Sequence, residues 1–286
     1  MADIIRIAIQ KSGRLSEDSL RLLKECGIRF DNGAGKLKTT ATNFPAEILF
    51  LRDDDIPGYV EDGVAHLGIV GQNVSEETER DVDTIYNLGF SKCRLSIGIP
   101  RATEYNGIGD FHHKKIATSY PRILEKYLAK NGVEAEIHEI SGSVEIAPGI
   151  GLADAICDIV SSGSTLLSNG LKEVEVIMRS EAVMIAYKGM TDGQRAILNQ
   201  LLFRIDSVQA AKNNKYILLN CPNESVEAIT RLIPGAKSPS IMPLAIEGWC
   251  SLHSVINESD FWENIEKIKQ AGAQGILVIP IERMVL

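Results

Sequence analysis

The residues best suited to chemistry lie in one run, Asp154-Ala155-Ile156-Cys157-Asp158-Ile159-Val160-Ser161-Ser162-Gly163-Ser164-Thr165-Leu166. An apolar strand carrying two carboxylates passes into a Ser/Gly/Thr turn that opens a helix, and free backbone N–H groups at such a turn bind phosphate. The hydroxyls of Ser161, Ser162, Ser164 and Thr165 add donors beside Gly163. No Gly-Lys-Ser/Thr follows, so the phosphate loop of nucleotide hydrolases is excluded by its missing lysine. Aspartates ahead of a phosphate cradle suit a ribose 5-phosphate, because carboxylates accept from the 2- and 3-hydroxyls while the loop holds the phosphate. The plainer alternative is a strand end with an N-capping serine or threonine.

Gln10-Lys11-Ser12-Gly13-Arg14-Leu15 stands at the end of the first apolar run. Two cations, a glycine permitting close backbone approach and a helix start together attract an anion, so Lys11 and Arg14 could grip a pyrophosphate or triphosphate. Solvated charges around a capped turn are the alternative. In Arg52-Asp53-Asp54-Asp55-Ile56-Pro57-Gly58 three acids precede a helix, where the macrodipole favours negative charge, and helix stabilisation accounts for most of them. Leu67-Gly68-Ile69-Val70-Gly71 ends a strand in a glycine that could let a nucleotide approach.

A scaffold for these segments is visible in the hydrophobic pattern. Apolar runs at Ile4 to Ile9, Ile48 to Leu51 and Leu67 to Val70 alternate with amphipathic stretches at Leu15 to Cys26 and Ile56 to Val60, a β-α-β-α-β rhythm. Leu20, Leu22, Leu23 and Cys26 recur at helical spacing, and Gly27 supplies the stop. A second run of the same kind spans about 93 to 178, with strands at Arg94 to Ile99, Lys115 to Thr118, Ala135 to Ile140, Ala155 to Val160 and Val174 to Ile177 and helices at Arg122 to Lys130 and Thr165 to Gly170. Gly107 to His113 reads as an exposed loop. Two α/β lobes in tandem imply a cleft, and ligands of open α/β sheets sit at the carboxyl ends of strands.

Beyond Gln194 a long helical pattern to about Ala211 leads into strand (Tyr216 to Asn220), helix (Ser225 to Leu232), two strands (Ile241 to Leu244, Trp249 to Val255), helix (Phe261 to Ala271) and strand (Ile276 to Ile281). The order βαββαβ is the ferredoxin-like motif. The expected organisation is therefore 1–91 with about 180–190 as the first lobe, 92–179 as the second, and 194–286 as a third, small domain.

Composition narrows the function further. Across 286 residues, 38 acidic side chains against 30 basic give a net charge of −8, which disfavours a nucleic-acid binder while leaving room for a local basic pocket. No run approaches the roughly 18 consecutive apolar residues of a membrane-spanning helix. The opening Met1-Ala2-Asp3-Ile4-Ile5-Arg6 lacks a charged segment followed by an apolar one, and the expectation is a soluble cytoplasmic protein without membrane partners. The cysteines, Cys26, Cys93, Cys157, Cys221 and Cys250, are scattered and odd in number, so buried free thiols are expected and no metal-ligating pair is formed. His112 and His113 are adjacent, point to different faces of any regular element, and read as solvated loop residues.

Taken in order, QKSGRL at 10–15, RDDDIPG at 52–58, ATSYP at 117–121, GSVEIAP at 142–148, GLADAICDIVSSGST at 151–165, NGLKEVEV at 169–176 and IPIE at 279–282 resemble the ATP phosphoribosyltransferase family in its long form, over nearly the whole chain. The resemblance implies two lobes of periplasmic-binding-protein-like architecture, a C-terminal regulatory ferredoxin-like domain, and the first reaction of histidine biosynthesis: Mg²⁺-dependent attack of ATP N1 on phosphoribosyl pyrophosphate. It implies a phosphoribosyl loop at Asp158 to Thr165, with Ser161, Ser162, Gly163, Ser164 and Thr165 around the 5-phosphate and Asp154 and Asp158 facing the ribose. Lys11, Gly13, Arg14, Gly71 and Tyr120 fall to the ATP side, and Glu145 joins Asp154, Asp158, Lys11 and Arg14 in the catalytic set. Magnesium would be held through pyrophosphate and water, with no protein ligand of its own. Histidine would inhibit at a pocket involving Asn220, Ser238, Ser240 and Leu244, in a homo-oligomer passing between dimer and hexamer.

Two rivals share the coarse architecture. A two-lobed solute-binding protein predicts a secretory leader, and a ligand-sensing regulator with a ferredoxin-like tail predicts no turnover.

Overall fold

The computed structural model describes residues 3–31 and 36–285. Met1 and Ala2, part of the opening read as leaderless, lie outside the described residues, as does Leu286. The chain separates into two compact units, Met1–Lys24 with Ile28–Ile197 and Glu25–Gly27 with Leu198–Leu286.

The first unit begins with β1 (Ile5–Gln10), α1 (Arg14–Glu25), β2 (Lys38–Thr40), β3 (Ala46–Leu51), α2 (Ile56–Glu61), β4 (Leu67–Gly71), α3 (Gln72–Thr78) and β5 (Asp83–Asn87). In β1, Ile5, Ile7, Ala8 and Ile9 are all buried, as befits a strand paired in parallel with both β3 and β4 and covered on both faces. Each fully buried isoleucine contributes up to about 3 kcal/mol over exposure. α1 buries Ser16, Ser19, Leu22 and Leu23 at helical spacing, and the left-handed Gly27 (φ 75°) ends it, with the Ile28 N–H returning to the Leu23 carbonyl at 3.0 Å.

The second lobe follows with β6 (Cys93–Pro100), β7 (Lys115–Thr118), α4 (Pro121–Lys130), β8 (Glu136–Glu139), β9 (Ala155–Val160), α5 (Ser164–Ser168) and β10 (Leu171–Ser180). Its sheet runs β10-β6-β9-β7-β8 over a core that includes Leu95, Ile97, Ile116, Leu124 and Cys157. The chain then returns: β11 (Ala182–Ala186) inserts between β4 and β5, antiparallel to both, and completes the first lobe's sheet in the order β2-β3-β1-β4-β11-β5. The stretch Gly107 to His113 departs from the expected exposed loop. It forms a 3-10 turn at Ile108–Phe111 and buries Phe111 against Tyr105, ring centroids 5.8 Å apart, because the aromatic ring gains more from the core than the polar neighbours lose. His112 and His113 stay exposed.

After α6 (Asp192–Lys212) the second unit runs β12 (Asn214–Pro222), α7 (Val226–Leu232), β13 (Ser240–Pro243), β14 (Trp249–Asn257), α8 (Glu258–Gln270) and β15 (Gln274–Pro280). Its antiparallel sheet has the order β13-β14-β12-β15, the ferredoxin-like arrangement, with Ile217, Leu219, Leu252 and Ile256 packed against Ile229, Phe261 and Ile268. Asn257 caps α8, its Oδ1 accepting from the Ser259 N–H at 3.0 Å. Cys221 and Cys250 oppose each other across β12 and β14 as free thiols, Sγ to Sγ 3.7 Å, and burial pushes Cys221 up to about 12. Among the described residues no helix is long and apolar enough to cross a membrane.

One buried base ties the first lobe together. His66 Nδ1 accepts from the Arg6 N–H at 2.9 Å, and its Nε2 meets the Gln194 amide at 2.9 Å. Burial, and then the Arg6 charge, hold the imidazole below its ordinary pKa. The unfolded chain therefore takes up this proton first, so stability is present above about pH 6.5 and is lost as pH falls from there toward the folded-state pKa. The melting temperature is expected to drop more steeply between about pH 7.5 and about pH 5.5 in the wild type than in His66→Gln, which keeps an acceptor but cannot titrate. Equal slopes would remove His66 from the acid response.

Candidate active site

The parallel strands set the site. β1, β3 and β4 in one lobe and β7, β8 and β9 in the other end in the loops that carry the chemistry, the usual place for ligands in open α/β sheets. A cleft cavity of about 370 Å³ is lined by Asp53 and Asp54 beyond β3, Tyr120 beyond β7, Ser141 and Gly142 beyond β8, and Glu77 from α3.

The loop after β9 leaves its hydroxyls exposed. Gly163 takes the left-handed conformation (φ 82°) that turns the chain into α5, and Ser162 Oγ lies 2.9 Å from Ser164 Oγ. Across the cleft, Arg14 Nη1 donates to Ser161 Oγ at 3.2 Å, joining the first lobe to the loop of the second. Gly13 is left-handed (φ 93°) with nothing within 4 Å of where a Cβ would stand, so the backbone before α1 is open to approach. Lys11 is anchored by its N–H to the Leu51 carbonyl at 2.8 Å; its side chain is exposed, and its ammonium takes part in none of the ion pairs among the described residues. The arrangement sets a bed of hydroxyls against the Arg14 guanidinium, which suits phosphate oxygens.

Asp158 lies in β9 just before this bed. Burial raises its pKa, the Ile159 N–H at 2.8 Å from Oδ1 opposes that rise, and the Glu145 charge adds to it. Glu145 sits in a 3-10 turn at Val144–Ile146, entered through the left-handed Ser143 (φ 50°). Tyr120 holds its phenol proton firmly: burial comes first, followed by the charges of Asp158, Asp53 and Asp54, while Asn73 works the other way. A half-buried carboxylate beside a neutral phenol can favour a positive charge developing on a bound sugar.

Asp154 does not belong to this group. It precedes β9 at the other end of the strand, about 13 Å from Asp158 by the rise per residue. There it accepts from the Lys115 N–H at 2.9 Å, faces Lys114 Nζ at 3.9 Å and lines a separate cavity of about 560 Å³ with Tyr105 and Asp110. Four residues of extended chain separate the two carboxylates too far for one ribose. Gly71 also serves a different purpose: a Cβ there would come within 2.4 Å of Asn73 Oδ1, so the space is filled by Asn73 and not left to a nucleotide. In the second unit, Asn220 on β12 and Ser240 on β13 share the sheet face away from the helices, opposite Ser251 and His253 of β14. Ser238 and Leu244 flank the two ends of β13.

A family model described as ATP phosphoribosyltransferase matches residues 52–207, and one described as HisG, C-terminal domain, matches residues 211–283. The chain is 62% identical over 285 residues to the ATP phosphoribosyltransferase of Cytophaga hutchinsonii, covering 100% of both chains. The chain belongs to the ATP phosphoribosyltransferase family. Its members act at the first step of histidine biosynthesis, and the chain is an enzyme of that family. An ATP phosphoribosyltransferase of Bacteroides thetaiotaomicron is 56% identical over 99% of this chain and 100% of its own. Among solved structures, an ATP phosphoribosyl transferase (HisG:HisZ) complex from Thermotoga maritima is similar at TM-score 0.60 and 26% identity, over 71% of this chain and 98% of that one. The substrate binding protein of an amino acid ABC transporter matches at TM-score 0.50 and 13% identity over 73% of this chain and 95% of that one, a likeness of fold alone.

The geometry around the loop also brings in residues that local sequence reading passes over. Arg94 Nη1 donates to the Ser161 carbonyl at 3.1 Å and so fixes the first residue of the phosphate loop. Glu173 holds Arg94 in a forked pair, with Nη2 to Oε2 at 2.6 Å, and accepts from Ser96 Oγ at 2.7 Å; the Arg94 contact, ahead of Ser96, keeps its carboxyl below the usual range. Their only sequence signal is opposite charge on neighbouring strands, legible once β6 and β10 are known to pair.

Proposed function

We propose that the cleft transfers the phosphoribosyl group of phosphoribosyl pyrophosphate to N1 of ATP, releasing pyrophosphate. The observation that carries the reading is Arg14 of one lobe reaching the hydroxyl-rich loop of the other, at Ser161. The Ser161 to Thr165 loop binds the 5-phosphate through backbone N–H groups and hydroxyls, and Asp158 accepts from a ribose hydroxyl. Lys11 and Arg14 receive the polyphosphate. As the bond to pyrophosphate lengthens, positive charge grows on the ribose, and the half-buried Asp158 carboxylate stabilises it. Adenine N1 already carries a free lone pair, so alignment by the two lobes and exclusion of water supply the remaining acceleration without a general base.

The donor set at the loop, hydroxyls met by the Arg14 guanidinium, suits phosphate oxygens. Magnesium would therefore be held through pyrophosphate and water, where it spreads the charge of the leaving group. The ferredoxin-like unit is taken to bind histidine, with Asn220 and Ser240 on the open sheet face; its match to the family's C-terminal domain supports this reading. Inhibition operates in a cytoplasmic homo-oligomer whose dimer and hexamer provide the two states that feedback requires.

The test is the absorbance of purified chain mixed with ATP, phosphoribosyl pyrophosphate and Mg²⁺, with pyrophosphate removed enzymatically, followed by a histidine titration. Product formation suppressed by histidine is expected, with suppression weakened in Asn220→Ala. Product without suppression would leave the second unit as an assembly module. No product from folded chain would overturn the catalytic reading.

A further inference from the structure

On one side of the cleft the two lobes are joined by a clasp centred on Glu77, at the margin of the cleft cavity. α4 of the second lobe opens with Pro121 in its first turn and has no side-chain cap from its own N-terminal neighbour, Tyr120. The amides next in line are both taken by one carboxylate from the first lobe. The Arg122 N–H donates to Glu77 Oε1 at 2.9 Å, and the Ile123 N–H donates to Glu77 Oε2 at 3.0 Å. A carboxylate across two free amides at a helix N-terminus is favoured by both hydrogen bonding and the macrodipole. Helices are ordinarily capped from nearby in sequence; here the cap comes from 45 residues away.

The surroundings reinforce the clasp. The Arg122 guanidinium donates to the carbonyls of Glu77 at 3.3 Å and Thr78 at 3.1 Å, and it pairs with Glu79 at 3.6 Å. Lys126 pairs with the same Glu79. At the other end of α3, buried Asn73 donates its N–H to Ser180 Oγ at 3.1 Å, and its Oδ1 accepts from that hydroxyl at 2.7 Å. Ser180 is the last residue of β10, where the chain leaves the second lobe. One short helix of the first lobe thus grips the second at α4 and at the crossover.

We propose that Glu77 is an inter-lobe positioning residue for the transfer reaction. By fixing the start of α4 it holds the preceding Tyr120, whose ring lines the cleft cavity with Asp53 and Asp54, and it keeps Arg14 in register with the loop at Ser161. The proposal rests on the reading of the cleft as a phosphoribosyl-transfer site. Its consequence is specific. The 5-phosphate is held by the loop of the second lobe, and the first-lobe Arg14 acts on the pyrophosphate mainly in the transition state, so loosening the clasp costs little ground-state binding, whereas alignment of the two substrates across the lobes is lost.

Steady-state kinetics of the full chain with ATP, phosphoribosyl pyrophosphate and Mg²⁺ test this in Glu77→Ala, Glu77→Gln and Glu77→Asp. Glu77→Ala is expected to lose about ten- to a hundredfold in kcat, the scale of a charge-assisted hydrogen bond, with KM for phosphoribosyl pyrophosphate nearly unchanged. Glu77→Gln keeps one acceptor oxygen and should recover part of the loss, while Glu77→Asp, one methylene shorter, should not. A purely structural cap would lower the melting temperature and leave kcat of the folded protein intact. Wild-type kcat in folded Glu77→Ala overturns the proposal, as does a loss confined to KM. Should Glu77→Ala not fold, Arg122→Ala and Glu77→Gln decide, and wild-type kcat in both overturns it. An active wild type with unaffected variants fails this proposal alone; an inactive wild type fails the catalytic reading as well.

Discussion

Asp158→Asn is expected to lower turnover by about 10²- to 10³-fold while the melting temperature holds or rises. The two halves of that result have one cause. Burial raises the folded-state pKa of Asp158 above its unfolded value. The stability linked to this group is therefore fully present below the ordinary carboxylate range and is lost as pH rises through the folded pKa. At neutral pH the ionised carboxylate is a net burden on the fold, and a neutral amide of the same shape relieves it. The same poorly solvated charge becomes an asset when the ribose turns cationic, because little water has to reorganise. The acid limb of the wild-type rate profile should accordingly begin above the ordinary carboxylate range and shift or vanish in the variant. Wild-type turnover in folded Asp158→Asn would remove the residue from the site.

Arg14→Ala comes next in size, with an expected loss of about 10²-fold in kcat/KM, since a cation placed on a leaving pyrophosphate acts mainly in the transition state. Arg14 is exposed, and among the described residues its side chain makes one hydrogen bond, to Ser161, so the fold should be indifferent to its removal. Arg14→Lys retains charge but not the forked geometry and should fall between the two. Kinetics at several ionic strengths check the assignment: the residual activity of Arg14→Ala should be less sensitive to salt than that of the wild type. An unchanged salt response with full activity would leave Arg14 as a surface charge.

What could be read from the sequence was local. The strand, turn and helix around Asp158 to Thr165 are contiguous, so periodicity and turn chemistry expose them, and the same holds for Lys11 to Arg14 beyond β1. Asp154 misled because two aspartates close in sequence look close in space, although an extended chain moves them apart by about 3.3 Å per residue. β5 escaped because Asp83 to Asn87 offers no buried face of its own; its partner β11 arrives about a hundred residues later. Glu77, Arg94 and Glu173 escaped for a related reason. Each acts on a group that tertiary pairing brings near, 45 residues away for Glu77 and Arg122 and 79 for Arg94 and Glu173. Family membership, by contrast, was legible because many short stretches in fixed order carry more information than any one contact.

The insertion of β11 between β4 and β5 sets a timetable for biogenesis. During synthesis the first lobe emerges first yet cannot finish its sheet, since the strand that unites β4 with β5 lies beyond the whole of β6 to β10. The second lobe is contiguous from Cys93 to Ser180 and can mature on the ribosome while β1, β3 and β4 wait with an open edge. Such non-local closure is slow and leaves apolar strands exposed to neighbouring chains. Nascent chains arrested before Ala182 should therefore be the aggregation-prone species, and the cell's chaperones should be needed most in the interval before β11 clears the exit tunnel.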